Sequence, residues 1–158
     1  MHSYLFRTIK TITLFSLVFW TLPSFGQDIS GEWNGVITQD AGGMSDKYYF
    51  SVYIEQDGEN ITGFSKVELY KGDKRVLYAR KKITGTFSNR LLSFKETEII
   101  DEEIIGDNTN ICLTYAKLNL IWDKSTLCLK GTWGGYTKVG TICAPGEIKV
   151  CSTIPVAH

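Results

Sequence analysis

The sequence predicts an all-β protein: an antiparallel up-and-down barrel of about eight strands, preceded by an N-terminal signal peptide. Three observations carry this. Short runs rich in Val, Ile, Thr, Tyr, Phe and Trp alternate with Gly, Asn and Asp, the grammar of strands and tight turns. No long stretch places apolar residues at helical spacing. A short pattern also recurs, aliphatic-polar-Gly-polar-aromatic, at Ile29-Ser30-Gly31-Glu32-Trp33, Ile83-Thr84-Gly85-Thr86-Phe87 and Leu129-Lys130-Gly131-Thr132-Trp133. Ile61-Thr62-Gly63-Phe64 is a shortened copy. A central glycine lets strands bend or approach closely, as the wall of a small barrel requires.

The first element is not a strand. His2 to Arg7 with Lys10 makes a short positive region, Thr11 to Leu22 is an apolar run, and Ser24 and Gly26 are small residues at the junction that follows. Those three parts describe a secretory signal, with cleavage expected near Gly26/Gln27. The run has 12 residues, whereas a membrane-spanning helix needs about 20. Domain boundaries follow: 1–26 signal peptide, 27–158 one β-barrel domain. Cleavage removes two of the 17 basic residues and none of the 17 acidic ones, which leaves a net charge of −2. That balance argues against a nucleic-acid or anionic-membrane partner, either of which calls for a basic patch.

Eight strands are predicted, over 31–38, 47–56, 60–71, 75–87, 91–100, 111–122, 127–134 and 147–153. Turn signals at Asp57-Gly58, Gly72-Asp73, Asn89-Arg90 and Asp123-Lys124 separate several of them. Eight sequential strands can close on themselves and so remove their edges; an open sandwich is the competing arrangement. One hairpin fixes its own register. Joining 111–122 to 127–134 through Asp123 to Thr126 sets Trp122 against Leu127, Leu120 against Leu129, Leu118 against Gly131 and Ala116 against Trp133. One face is then apolar, and a slip of one residue would destroy the match.

The four cysteines, Cys112, Cys128, Cys143 and Cys151, crowd the last third of the chain. In an exported protein an even number reads as disulfides, and the gaps are too long for the short Cys pairs of a zinc site. In the hairpin register Cys112 points inward and Cys128 outward, which disfavours a bond between these two. Ile148 and Val150 are expected to point inward, which turns Cys151 outward, like Cys128. The expected bridges are Cys128–Cys151 on the outer wall and Cys112–Cys143, the latter clamping a loop over 138–146.

The segment Ile29 to Gly35, with Gly31 and Trp33, resembles the Gly-x-Trp signature that opens the first strand of lipocalins. The resemblance implies an eight-stranded cup whose closed end is plugged by Trp33 and whose open end takes small hydrophobic ligands. The family's Thr-Asp-Tyr motif is missing, and the arginines of the mature chain, Arg75, Arg80 and Arg90, all precede the last strand. With the Cys143-Ala144-Pro145-Gly146 turn, the whole chain resembles the exported lipocalin-like domains of unknown function of bacterial envelopes.

Candidate chemistry is sparse. The two histidines are His2, in the signal, and His158, the last residue, so Ser-His-Asp and Cys-His catalysis and histidine-held metals have no place to form. Glu96 and Glu98 are expected on one strand face, where two carboxylates could serve a glycoside hydrolase. Cross-strand ion pairing of these with Arg80, Lys81 and Lys82 on a solvated face is the simpler expectation. The segment Asp101 to Asn110 is dense in oxygen ligands but lacks EF-hand spacing. Asn60-Ile61-Thr62 fits a glycosylation sequon and reads as ordinary strand sequence. Aromatic residues supply the binding candidates, Tyr49, Tyr53, Trp133 and Tyr136, which could stack on sugar rings or anchor a partner. The reading is therefore a monomeric, exported, periplasmic or secreted barrel that is not an enzyme, uses no cofactor or metal and does not insert into a membrane. Its expected role is binding a small amphipathic ligand or an envelope glycan. A barrel filled by its own side chains, acting as an envelope interaction module, and a carboxylate-based hydrolase are the alternatives.

Overall fold

The computed structural model describes residues 27–106 and 110–153. The expected signal peptide and its cleavage site lie outside these residues, as do Asp107 and His158. Eight strands follow one another: β1 Gly31–Thr38, β2 Lys47–Asp57, β3 Asn60–Lys71, β4 Lys74–Ser88, β5 Leu91–Ile104, β6 Cys112–Asp123, β7 Thr126–Thr137 and β8 Ile142–Ser152. Each pairs antiparallel with the next, and β8 returns to pair with β1, which closes the barrel. Closure gives every strand a neighbour on both sides; the β5–β6 and β1–β8 ladders are the shortest, at five residue pairs each. Of the two arrangements open to the sequence, the barrel is the one formed.

Alternation does the sorting. Along β2 Tyr48, Phe50, Val52 and Ile54 are buried while Tyr49, Tyr53 and Glu55 are exposed, the period of two that separates the faces of a strand. The β6–β7 hairpin holds the expected register, with Ala116 opposite Trp133, Leu118 opposite Gly131, Leu120 opposite Leu129 and Trp122 opposite Leu127. The recurring glycines act where the wall is tightest. Gly63 has φ +146°, and a methyl group there would strike the Tyr53 carbonyl; one on Gly131 would strike the carbonyl oxygen of Lys117. Any larger residue would push neighbouring strands apart.

Both expected disulfides form, Cys112–Cys143 and Cys128–Cys151. Cys128 and Cys151 are directly opposed on adjacent strands, and Cys128 is covered without joining the interior core. The other bridge departs from expectation. Residues from Ile142 on are not a loop but the start of β8, with Gly135 opposite Cys143 and Tyr136 opposite Ile142. Cys112 on β6 therefore reaches Cys143 on β8 across Gly135 of β7, whose missing side chain leaves room. The register shifts between Trp133 and Gly135. There Pro145, which has no N–H to donate to a ladder, gives its carbonyl to the N–H of Asp40 instead.

The two ends of the barrel differ. At one end Ile29, Trp33, Ile54, Ile61, Phe87, Leu92, Leu118, Leu120 and Leu129 are buried together. The Trp33 indole N–H donates to the Ile29 carbonyl at 2.9 Å, and the Ile29 N–H donates to Gln56 Oε1 at 2.9 Å. The tight β4–β5 turn sets Asn89 and Arg90 at φ 51° and 62°, the pair of left-handed residues that a two-residue hairpin favours. From that turn the Arg90 guanidinium donates to the Leu120 carbonyl at 2.9 Å, tying the turn to β6. The opposite end is open.

Candidate ligand-binding cavity

At the open end lies a cavity of about 430 Å³. Its wall is built from residues of seven strands, the β1–β2 loop and the β5–β6 connection. The apolar lining comes from Ile37, Met44, Tyr48, Phe50, Val67, Leu77, Ile111 and Trp133, and the Cys112–Cys143 bridge forms part of the rim. The polar lining is Gln39, Asn110, Thr114, Thr137 and Lys81. Trp133 is held by its indole N–H, which donates to the Thr38 carbonyl at 2.7 Å. The lining mixes apolar side chains with polar groups, and a concavity in which placed polar groups orient an otherwise apolar ligand is a usual form of small-molecule site.

Lys81 and Glu96 form an ion pair inside the barrel at 2.7 Å, with side chains 4% and 0% exposed. This corrects the expected solvated face, and it has a structural cause. The β5–β6 ladder stops at Lys95 opposite Tyr115, so the next backbone groups lack ladder partners. Glu96 Oε2 accepts the Thr114 N–H at 2.6 Å, and Lys81 Nζ donates to the Cys112 carbonyl at 3.1 Å. The two side chains stitch the seam where β5 and β6 part. Ser65 Oγ donates to Glu96 Oε1 at 2.5 Å. Removing two charges from water is costly unless every lone pair and proton is used, and among the described residues no buried side-chain polar atom lacks a partner.

The expected sharing of one face by Glu96 and Glu98 also fails. The register of β4 against β5 skips Thr97, since Ile83 lies opposite Glu96 and Lys82 opposite Glu98. That extra residue leaves Glu96 inside and Glu98 outside, so the two do not converge as an acid and base. Arg80 turns outward to lie over the Phe64 ring at 4.4 Å. Of the segment rich in oxygen ligands, Glu102 pairs with Lys138 and Glu103 with Arg75. No group of three acidic, histidine or cysteine residues suited to a metal gathers among the described residues.

The four aromatic binding candidates are divided by the wall. Trp133, 6% exposed, lines the cavity; Tyr49, Tyr53 and Tyr136, at 62%, 47% and 47%, stand on the outer surface. Tyr49 meets Tyr70 edge-on at 5.9 Å, and Tyr136 lies 5.8 Å from Tyr115. The charge and hydrogen bonding of Tyr136, with some burial, hold the Tyr115 hydroxyl above its ordinary 10.0. Inside, the aromatic lining contributed by β2 is Tyr48 and Phe50. The signal for them was present: Phe50, Val52 and Ile54 recur at a spacing of two, which leaves Tyr49 and Tyr53 on the face of Ser51 and Glu55. Lys81 and Glu96 were equally in phase with Ile83 and with Leu92 and Phe94. Trp33 sits at the far end from the cavity, in the packed core.

The chain matches no protein-family model, no curated protein and no solved structure. What the fold and the cavity define is a disulfide-bonded, eight-stranded antiparallel barrel with one packed end and one open end. Two disulfides suggest an oxidising compartment.

Proposed function

We propose that this protein is an exported, non-enzymatic binding protein of lipocalin-like type that holds a small amphipathic molecule in the open end of its barrel. The observation that carries the reading is the cavity of about 430 Å³, within the roughly 300–1,000 Å³ of ligand pockets. Burial of apolar ligand surface against Phe50, Val67, Leu77 and Trp133 supplies the affinity, at about 25 cal/mol per Å² before the costs of association. The polar groups of the lining fix orientation. Trp33 seals the other end, so the ligand enters and leaves on the side of the Cys112–Cys143 bridge.

A second reading has its own support. The outward pairs Tyr49 with Tyr70 and Tyr115 with Tyr136 are exposed aromatic surface, suited to stacking on an envelope glycan or protein. Native mass spectrometry of the unreduced protein, purified from its own periplasm or medium, separates the two. An added mass that leaves on activation and is displaced by phenylnaphthylamine, a neutral apolar fluorophore, is expected for the cavity reading. A bare mass together with no fluorophore binding would refute it and favour the outer wall.

A further inference from the structure

We propose that the ligand is electrically neutral and carries a hydrogen-bond acceptor, such as an ester, ketone, amide or hydroxyl oxygen, that docks on the ammonium of Lys81. This rests on the reading of the cavity as a ligand site and names the chemistry of its occupant.

Lys81 is the sole charged residue lining the cavity among the described residues. An isolated buried ammonium would select a carboxylate or phosphate. Here its charge is already cancelled by Glu96 at 2.7 Å, and Glu96 is itself saturated by Ser65 and the Thr114 N–H. The pair is therefore a neutral dipole whose positive end borders the cavity; Glu96 is not among its lining residues. An anionic ligand would bring a second negative charge toward one ammonium that Glu96 already neutralises. It would lose its hydration without a countercharge of its own.

An ammonium has three N–H donors and accepts nothing. Among the described residues two are directed to Glu96 Oε2 and the Cys112 carbonyl. The third suits a neutral oxygen, which gains a charge-assisted hydrogen bond without importing charge. A cationic ligand would meet the ammonium head-on. Gln39, Asn110, Thr114 and Thr137, the other polar lining residues, are neutral and consistent with that preference.

The test is competition for bound phenylnaphthylamine at neutral pH by probes of one chain length: methyl decanoate, decanol, sodium decanoate and decyltrimethylammonium. The expected result is that methyl decanoate and decanol compete at concentrations lower by about tenfold or more than either ion. In Glu96→Gln, which leaves the ammonium uncompensated, decanoate should overtake methyl decanoate. Should that variant not fold, the wild-type ranking decides alone. Decanoate competing as well as or better than the neutral probes in the wild type would overturn the inference while leaving the cavity reading intact. Failure of the fluorophore and every probe to bind would overturn both.

Discussion

The closed and open ends of this barrel are made by the same eight strands yet solve opposite problems. At the closed end, ladder pairing is continuous and the interior is apolar. Polar groups there, the Trp33 indole and the Arg90 guanidinium, donate to backbone carbonyls that would otherwise be left over. At the open end β5 and β6 part after Lys95 and Tyr115, and side chains replace the missing ladder. The difference teaches that a buried ion pair can be the consequence of a cavity. Splaying two strands makes room inside, and the backbone groups so exposed are met by Glu96 and Lys81.

Breaking that seam should cost most. Glu96→Ala or Lys81→Met alone leaves a buried charge unpaired, and each is expected to lower unfolding free energy by about 3–5 kcal/mol. The double apolar variant should be less damaged than the sum of the two, although the Thr114 N–H and the Cys112 carbonyl still lose partners. Urea unfolding of the three variants checks this. The disulfides come next. Replacing Cys112 and Cys143 with Ser, or Cys128 and Cys151 with Ser, should each cost about 2–4 kcal/mol. Only the first pair borders the cavity, so only its loss should weaken phenylnaphthylamine binding. A closed-end change, Trp33→Phe, removes one buried hydrogen bond and should cost about 1–2 kcal/mol with ligand affinity unchanged. Tyr49→Ala and Tyr53→Ala, on the outer wall, should lie within about 0.5 kcal/mol of wild type and bind the fluorophore normally.

The smallest expected effect is electrostatic. On the exposed rim a hydrogen bond from Lys149, together with its charge, holds the Asp123 carboxyl below its ordinary 3.8. A carboxyl depressed in the folded state stabilises the fold above its unfolded pKa and loses that contribution as pH falls through the folded value. Asp123→Asn should therefore be slightly less stable than wild type at neutral pH. The two should converge in acid, below the ordinary carboxylate range, and salt should shrink the neutral-pH gap.

Much of this fold was legible because it depends on local patterns. The β6–β7 register followed from apolar matching, and that register in turn dictated which cysteines could face each other. The Gly-centred repeat marked places where strands crowd, as Gly63 and Gly131 show. The site was less legible, for physical reasons. Bulges shift the phase of alternation, and one at Thr97 divided Glu96 from Glu98 when a regular strand would have kept them together. Charge suggested solvent for Lys81 and Glu96, while their phase with Ile83, Leu92 and Phe94 placed them inside; phase prevailed because each supplied the other's countercharge. Alternation along β2 puts Tyr49 and Tyr53 on the outer face and Tyr48 and Phe50 on the inner one, so a count of aromatics alone does not separate surface candidates from cavity lining. The extension of β8 back to Ile142 rests on ladder pairing with the end of β7 beyond a register shift, which no local pattern encodes.

The central claim is that the end near Trp133 receives a ligand and the end near Trp33 does not. Indole N–H resonances of the mature protein, followed by nitrogen-edited NMR while phenylnaphthylamine is added, test it most directly. The account predicts that the Trp133 resonance shifts to saturation while those of Trp33 and the exposed Trp122 stay in place. Saturable shifts at Trp33 with Trp133 unmoved would contradict it.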